Sequence, residues 1–167
     1  ASSNISGIEV TCADRILTAD VIANLPDVNF QACLNGRGLA AYADEVTSLY
    51  CTFKSISNAS GIEHFTALTD LDLSGNQLAS IDVSANTALT ELDLDGNQLT
   101  SLDVSANTAL TELDLSSNQL ASIDVSANTA LTDLSLSGNQ LTSIDVSANT
   151  ALTGLSLDRN QLTGVDV

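Results

Sequence analysis

The sequence has no tryptophan and no methionine, holds a single proline, and draws only 3% of its 167 residues from aromatics. Wide globular cores are normally filled by bulky aromatic and flexible side chains. The core implied here is therefore narrow and built from Leu, Ile, Val and Ala. Cations are equally scarce, with 4 Lys and Arg against 21 Asp and Glu and a net charge of −17. Nucleic-acid binding needs clustered Lys and Arg to neutralise phosphates, and an anionic membrane surface makes the same demand, so both partners are excluded. No apolar run approaches the roughly 18 residues of a membrane span, which excludes insertion as a helix. The cysteines Cys12, Cys33 and Cys51 show no CxxC spacing, so a zinc site is not expected. Their odd number allows three alternative disulfides, each leaving one thiol over. His64 is the only histidine, and no credible nucleophile can be paired with a base. Carboxylate pairs can serve glycoside hydrolysis, but aromatic sugar platforms are missing. No enzymatic activity is expected.

What the sequence does contain is repetition. LTDLDLSGNQLASIDVSANTA (68–88) is followed by near copies at 89–109, 110–130 and 131–151, then by a broken copy at 152–167. The period is 21 residues without insertion. A fixed period in this range denotes a solenoid whose copies stack as coils. The L-x-L portion alternates as a strand does. The later S-I-D-V-S portion alternates again, which leaves little room for a helix. Two near-extended sides predict a gently curved stack of about six coils, each adding about 4.8 Å.

The pattern LxxLxLxxNxLxxIDVSxNxA resembles the leucine-rich repeat, over about residues 46–167. Its two halves share features, as in a 21-residue bacterial class of that repeat. The resemblance implies a right-handed coil with a parallel sheet on one side and an extended second side. It also makes Asn76, Asn97, Asn118, Asn139 and Asn160 a structural ladder that bonds neighbouring backbones. LPDVNFQACL (25–34) and ISNASGIEHFTALTDL (56–71) resemble the cap and opening repeat of internalin-like proteins. Residues 1–45 are expected to form a helical cap. It would contain helices over 13–25 and, with Asp27 as N-cap, over 28–36. Residues 46–167 are expected to form the stack, with coils at 46–67, 68–88, 89–109, 110–130 and 131–151 and a partial coil at 152–167. Cys51 takes an inward position in the first coil and Cys33 lies on the helix expected to cover it. A Cys33–Cys51 disulfide is expected, with Cys12 free, and a disulfide implies an oxidising compartment. The chain begins at Ala1 without Met and ends in mid-repeat at Val167. A removed leader and a longer parent protein are expected, and the open last coil offers an end-to-end or edge dimer contact.

Outward strand positions are where leucine-rich repeats hold ligands. Here they read Asp70, Glu91, Glu112, Asp133 and Gly154 in one column, and Asp72, Asp93, Asp114, Ser135 and Ser156 in the next. A third holds Ser74, Asp95, Ser116, Ser137 and Asp158. Adjacent carboxylates about 5 Å apart repel by roughly 1 kcal/mol in water, which a cationic partner or Ca²⁺ at Asp72, Asp93 and Asp114 would relieve. The plain alternative is a solvated acidic face copied by duplication. Asp82, Asp103, Asp124, Asp145 and Asp166 form a ladder on the opposite side and are expected to bond turn backbone. Thr69, Thr90, Thr111, Thr132 and Thr153 form one threonine column, and Thr87, Thr108, Thr129 and Thr150 another. The resulting expectation is a non-enzymatic, secreted or bacterial surface module. It would bind a protein or surface partner through Asp70, Asp72, Glu91, Asp93, Asp95, Glu112, Asp114, Asp133 and Ser135. The alternatives are an ice- or mineral-surface binder, with or without Ca²⁺, using the Thr, Ser and Asp ladders, and a spacer or engineered scaffold without a native ligand.

Overall fold

The computed structural model describes residues 16–35 and 37–166; Cys12, expected to be the free thiol, lies outside the described residues. Each coil contributes one short strand to the main sheet. Strands β1 (Ser48–Tyr50), β2 (Asp70–Asp72), β3 (Glu91–Asp93), β4 (Glu112–Asp114), β5 (Asp133–Ser135) and β7 (Gly154–Ser156) form a six-stranded parallel sheet. The central leucines are in register, Leu49 beside Leu71, then Leu92, Leu113, Leu134 and Leu155. A slip of one residue would drive acids into the core, so the alternation fixes the pairing.

The core is a set of leucine columns. Leu68, Leu71, Leu73 and Leu78 are buried, as are their counterparts in the next three copies, and Val83, Val104 and Val125 close each coil. Ile81, Leu102 and Ile123 are only partly buried and pack against that core. Burying one leucine is worth about 1.5–3 kcal/mol, so stability accumulates coil by coil.

Two asparagine ladders join the coils. In the first, Asn97 Oδ1 accepts the Leu78 N–H at 3.0 Å while its Nδ2 donates to the carbonyls of Leu73 and Leu94, both at 3.0 Å. Asn76, Asn118, Asn139 and Asn160 make equivalent bonds. The second ladder is Asn86, Asn107, Asn128 and Asn149, all buried. Asn107 Nδ2 donates to Val83 O at 3.0 Å and Asn86 O at 2.9 Å, and the other three reach the preceding coil in the same manner. The Oδ1 atoms of these four are buried without a hydrogen-bond donor among the described residues.

The second side of the stack carries less strand pairing than the alternation of S-I-D-V-S suggests. Among the described residues, paired strands occur there only between β6 (Ser143–Asp145) and β8 (Gly164–Asp166). In the earlier coils the carbonyl that ends the segment, on Val83, Val104 or Val125, is taken by an asparagine side chain of the following coil. Side-chain amides thus do between coils what strand amides would otherwise do.

At the N-terminal end, α1 (Thr18–Asn24) and α2 (Val28–Leu34) lie over the first coil. The expected helix over 13–25 therefore starts late. Leu17 instead pairs antiparallel with Tyr42, and Thr18 N–H and Ala43 N–H bond to Ala41 O and Ile16 O, each at 3.0 Å. The second helix stops at Leu34, two residues short of the expected end. Cys33 and Cys51 are joined by a disulfide of 2.08 Å that ties α2 to the first coil. Asp27 adds a second tie. Its Oδ1 caps α2 by accepting from Asn29 N–H (2.8 Å) and Phe30 N–H (3.0 Å). Its Oδ2 accepts from Ser57 N–H (2.8 Å), Ser57 Oγ (3.1 Å) and Asn58 N–H (3.0 Å) in the first coil. Beyond residue 45 the described residues contain one helical segment, the single 3-10 turn Ile62–His64.

Candidate functional site

The sheet presents its outward side chains as two parallel columns. One runs Ser48, Asp70, Glu91, Glu112, Asp133, Gly154 and the other Tyr50, Asp72, Asp93, Asp114, Ser135, Ser156. Between them lies a shallow groove of about 300 Å³, floored by Leu71, Leu92 and Leu113 and walled by the carboxylates of β2 to β5. Asp70, Asp72, Glu91, Asp93, Glu112, Asp114, Asp133 and Ser135 all line it. Asp95 does not. It stands past the end of β3, where its N–H bonds to Asp93 Oδ1 at 2.9 Å and its carbonyl accepts from Gly75 N–H at 2.8 Å.

Crowding leaves an electrostatic signature. The charges of Asp70 and Glu112, its neighbours on either side, raise the Glu91 carboxyl above its ordinary range. Burial first, then the charges of Asp72, Asp114 and Asp95, raises Asp93 against the opposing pull of the Asp95 N–H. Both acids sit mid-groove, where a bound cation would relieve the most repulsion. The opposite side behaves differently. At Asp82, Asp103, Asp124 and Asp145 the hydroxyl and N–H of the serine two residues on hold the carboxyl below its usual value. These acids accept that N–H at 2.9 Å in every case, so they are turn formers.

Calcium at Asp72, Asp93 and Asp114 is not supported by the geometry. Among the described residues no group of three or more His, Cys, Asp or Glu is arranged to hold a metal ion. The reason lies in the ladder. One oxygen of each aspartate is engaged by the N–H two residues on, at Ser74, Asp95 and Ser116. The three carboxylates are in parallel register, one per strand, and do not converge the six to eight oxygens that Ca²⁺ requires.

The first threonine column is structural. Thr90, Thr111 and Thr132 each donate their hydroxyl to the carbonyl of the threonine one coil earlier, at 3.1 Å. His64 is exposed and lies 3.8 Å from Glu63. Three features escaped the sequence reading. Tyr50 lines the groove at its first strand, a role visible only once 46–67 is aligned with the later copies. The second asparagine ladder lies in the invariant SANTA segment, whose asparagines carried no expected role. The second oxygen of Asp27 acts across 30 residues.

The leucine-rich-repeat profile of two copies matches residues 87–128, and a single-repeat leucine-rich profile matches 66–85 and 127–148. Among solved structures, the functional domain of InlJ from Listeria monocytogenes, described as including a cysteine ladder, is 38% identical with a TM-score of 0.82. That match covers 91% of this chain and 35% of that one. A leucine-rich-repeat protein of Leptospira interrogans is 26% identical, with a TM-score of 0.68 over 71% of this chain and 33% of that one. The leucine-rich-repeat ectodomain of a receptor kinase from Arabidopsis thaliana is 27% identical, with a TM-score of 0.63 over 72% and 74%. The chain thus spans about a third of the two bacterial proteins. No curated protein sequence matches it. The cysteines of this chain are confined to residues 12, 33 and 51, and its two ladders are of asparagine.

Proposed function

Because the chain belongs to the leucine-rich-repeat proteins and is internalin-like in organisation, we propose that it is a non-enzymatic binding module. It engages a cationic protein surface with the acidic groove of its strand face. The observation that carries this reading is the in-register carboxylate lining, with the two central acids held above their usual pKa by their neighbours and by burial. A bare solvated face would leave that repulsion standing, whereas a basic partner would discharge it and speed encounter at low salt. Display outside the cell or on a bacterial surface fits the Cys33–Cys51 disulfide and the similarity to the Listeria protein.

Binding of ice or mineral through threonine arrays has less support, because Thr90, Thr111 and Thr132 spend their hydroxyls between coils. The test is calorimetric titration with tetra-arginine at low and physiological salt. Wild type is compared with Asp72→Asn/Asp93→Asn/Asp114→Asn on the groove and with Asp82→Asn/Asp103→Asn/Asp124→Asn on the opposite side. The groove triple should weaken binding about tenfold, the loss of roughly 1.4 kcal/mol of attraction, and the opposite triple far less. Equal losses, or no binding at low salt, reject the groove as the site.

A further inference from the structure

Aromatic residues are few in this chain, and their placement is uneven. Phe30 and Phe65 are fully buried, but Phe53 is 79% exposed and Tyr50 is 48% exposed. Tyr50 stands at the N-terminal end of the groove, and Phe53 follows three residues on, in the turn past the end of β1. Tyr50 lines the groove beside Asp72, its partner in the neighbouring strand.

Phe53 is unusual in backbone as well as exposure. Its φ is +53°, in the left-handed region. Aligned by the repeat, it occupies the position held by Gly75, Gly96, Ser117, Gly138 and Arg159, all of which also have positive φ. Glycine meets that demand without strain and a bulky aromatic does not. The ring is also not used to fill the core. It lies over Gly75, where a Cβ would come within 2.3 Å of its Cδ1. Gly75 is thus the seat on which the ring rests, with its other face open to solvent. A strained, solvent-exposed phenylalanine where three of five sister coils use glycine, and the others serine or arginine, is a local sacrifice of stability, of the kind that gathers at functional positions.

We infer that Tyr50 at the mouth of the groove, with Phe53 beyond it, forms an aromatic anchor for the cationic side chains of a basic protein segment, which then continues into the acidic groove. The inference rests on the strand-face reading above and adds where the partner is gripped and by what chemistry. A guanidinium or ammonium group laid on an aromatic face is attracted by the ring quadrupole. Asp70 and Asp72, immediately beyond Tyr50, supply the opposite charge. Planar arginine suits both contacts better than lysine.

With only five aromatic residues in the chain, ring resonances can be followed one by one by NMR. Tetra-arginine is titrated into the whole chain, with tetra-citrulline as the uncharged control. The Tyr50 and Phe53 rings should shift saturably with arginine and not with citrulline. Phe53→Gly and Tyr50→Ser should each weaken binding about fivefold, within the range of one cation–π contact. Phe53→Gly should also raise the melting temperature, by about 2–4 °C, because the left-handed strain is released. If Phe53→Gly lowers the melting temperature, the ring is a packing element and the anchor is refuted. If the groove triple loses binding while both aromatic variants keep it, the anchor fails and the strand-face reading stands. If tetra-arginine does not bind at low salt, both fail.

Discussion

Replacing Asp27 should separate the cap from the stack while leaving most coils intact. The residue is only 8% exposed, and its two oxygens serve different elements. Oδ1 caps α2, and Oδ2 collects two N–H groups and a hydroxyl from Ser57 and Asn58. Asp27→Asn keeps an oxygen for the helix but turns an amide NH₂ toward the coil's donors, so all three coil bonds are lost. Hydrogen bonds to a charged group contribute about 1.5 kcal/mol or more each. Solvent reaches the amides that are released, so the total loss should be about 3 kcal/mol. Asp27→Ala also removes the helix cap and should lose about 1 kcal/mol more. Charge linkage adds a pH signature. Burial works to raise the Asp27 carboxyl, yet the N–H groups of Ser57, Phe30 and Asn58 and the Ser57 hydroxyl prevail and hold it below its ordinary 3.8. A depressed acid contributes stability above its unfolded pKa and loses it as pH falls through the folded value. Wild type should therefore weaken below about pH 4 in a way the Asn variant does not. Urea unfolding gives the magnitude and hydrogen exchange the place. Protection should fall at Phe30 and at 56–58 but persist at Leu92, Leu113 and Leu134, because coils contact only their neighbours. A loss below 1 kcal/mol for Asp27→Asn, or one spread evenly along the stack, would refute the reasoning.

Further outcomes follow from the same structure. The groove triple Asp72→Asn/Asp93→Asn/Asp114→Asn keeps the acceptors for Ser74, Asp95 and Ser116 N–H but relieves two neighbouring repulsions. It should gain about 1–2 kcal/mol in low-salt urea melts at pH 7. Glu91 and Asp93 are raised, so their contribution to folding is present at low pH and lost as pH rises through their folded values. Lowering pH from 7 should therefore strengthen the wild-type groove and leave the triple less changed. Asn97→Ala removes an acceptor as well as donors and should cost about 3 kcal/mol in chemical denaturation. Asn107→Ala orphans only carbonyls and should cost about 2. Reducing Cys33–Cys51 should lower stability by about 3 kcal/mol, the effect of opening a loop of similar length, with exchange rising first in α2.

The coils were legible because their information is local and repeated. Leu71 and Leu73 flank an outward Asp72, and every copy says the same. What escaped was non-local. Nothing within residues 13–25 announces that Leu17 will pair with Tyr42, and that bridge is what delays α1 to Thr18. Asp27 reads as a helix cap from its own neighbourhood, while the partners of its second oxygen are folded in from 30 and 31 residues away. Asn86 and its equivalents sit in a turn-like context, so their burial and their reach into the preceding coil show only in three dimensions. The groove acids were readable as a column because strand alternation dictates it. Asp95 does not join them because it lies two residues past the end of β3.

The asparagine ladders have a consequence for how such a molecule can change in size. Each Asn107-type amide reaches back to carbonyls of the coil before it, and its own coil offers the same carbonyls to the next. Donor and acceptor recur at identical positions in every 21-residue copy. A whole copy spliced between two others therefore finds its bonds waiting on both sides, whereas a piece of any other length leaves a buried amide facing the wrong atom. Length becomes a quantity adjustable in steps of about 4.8 Å. Gene duplication or an engineer could lengthen the molecule by one such rung without rewriting a single interface.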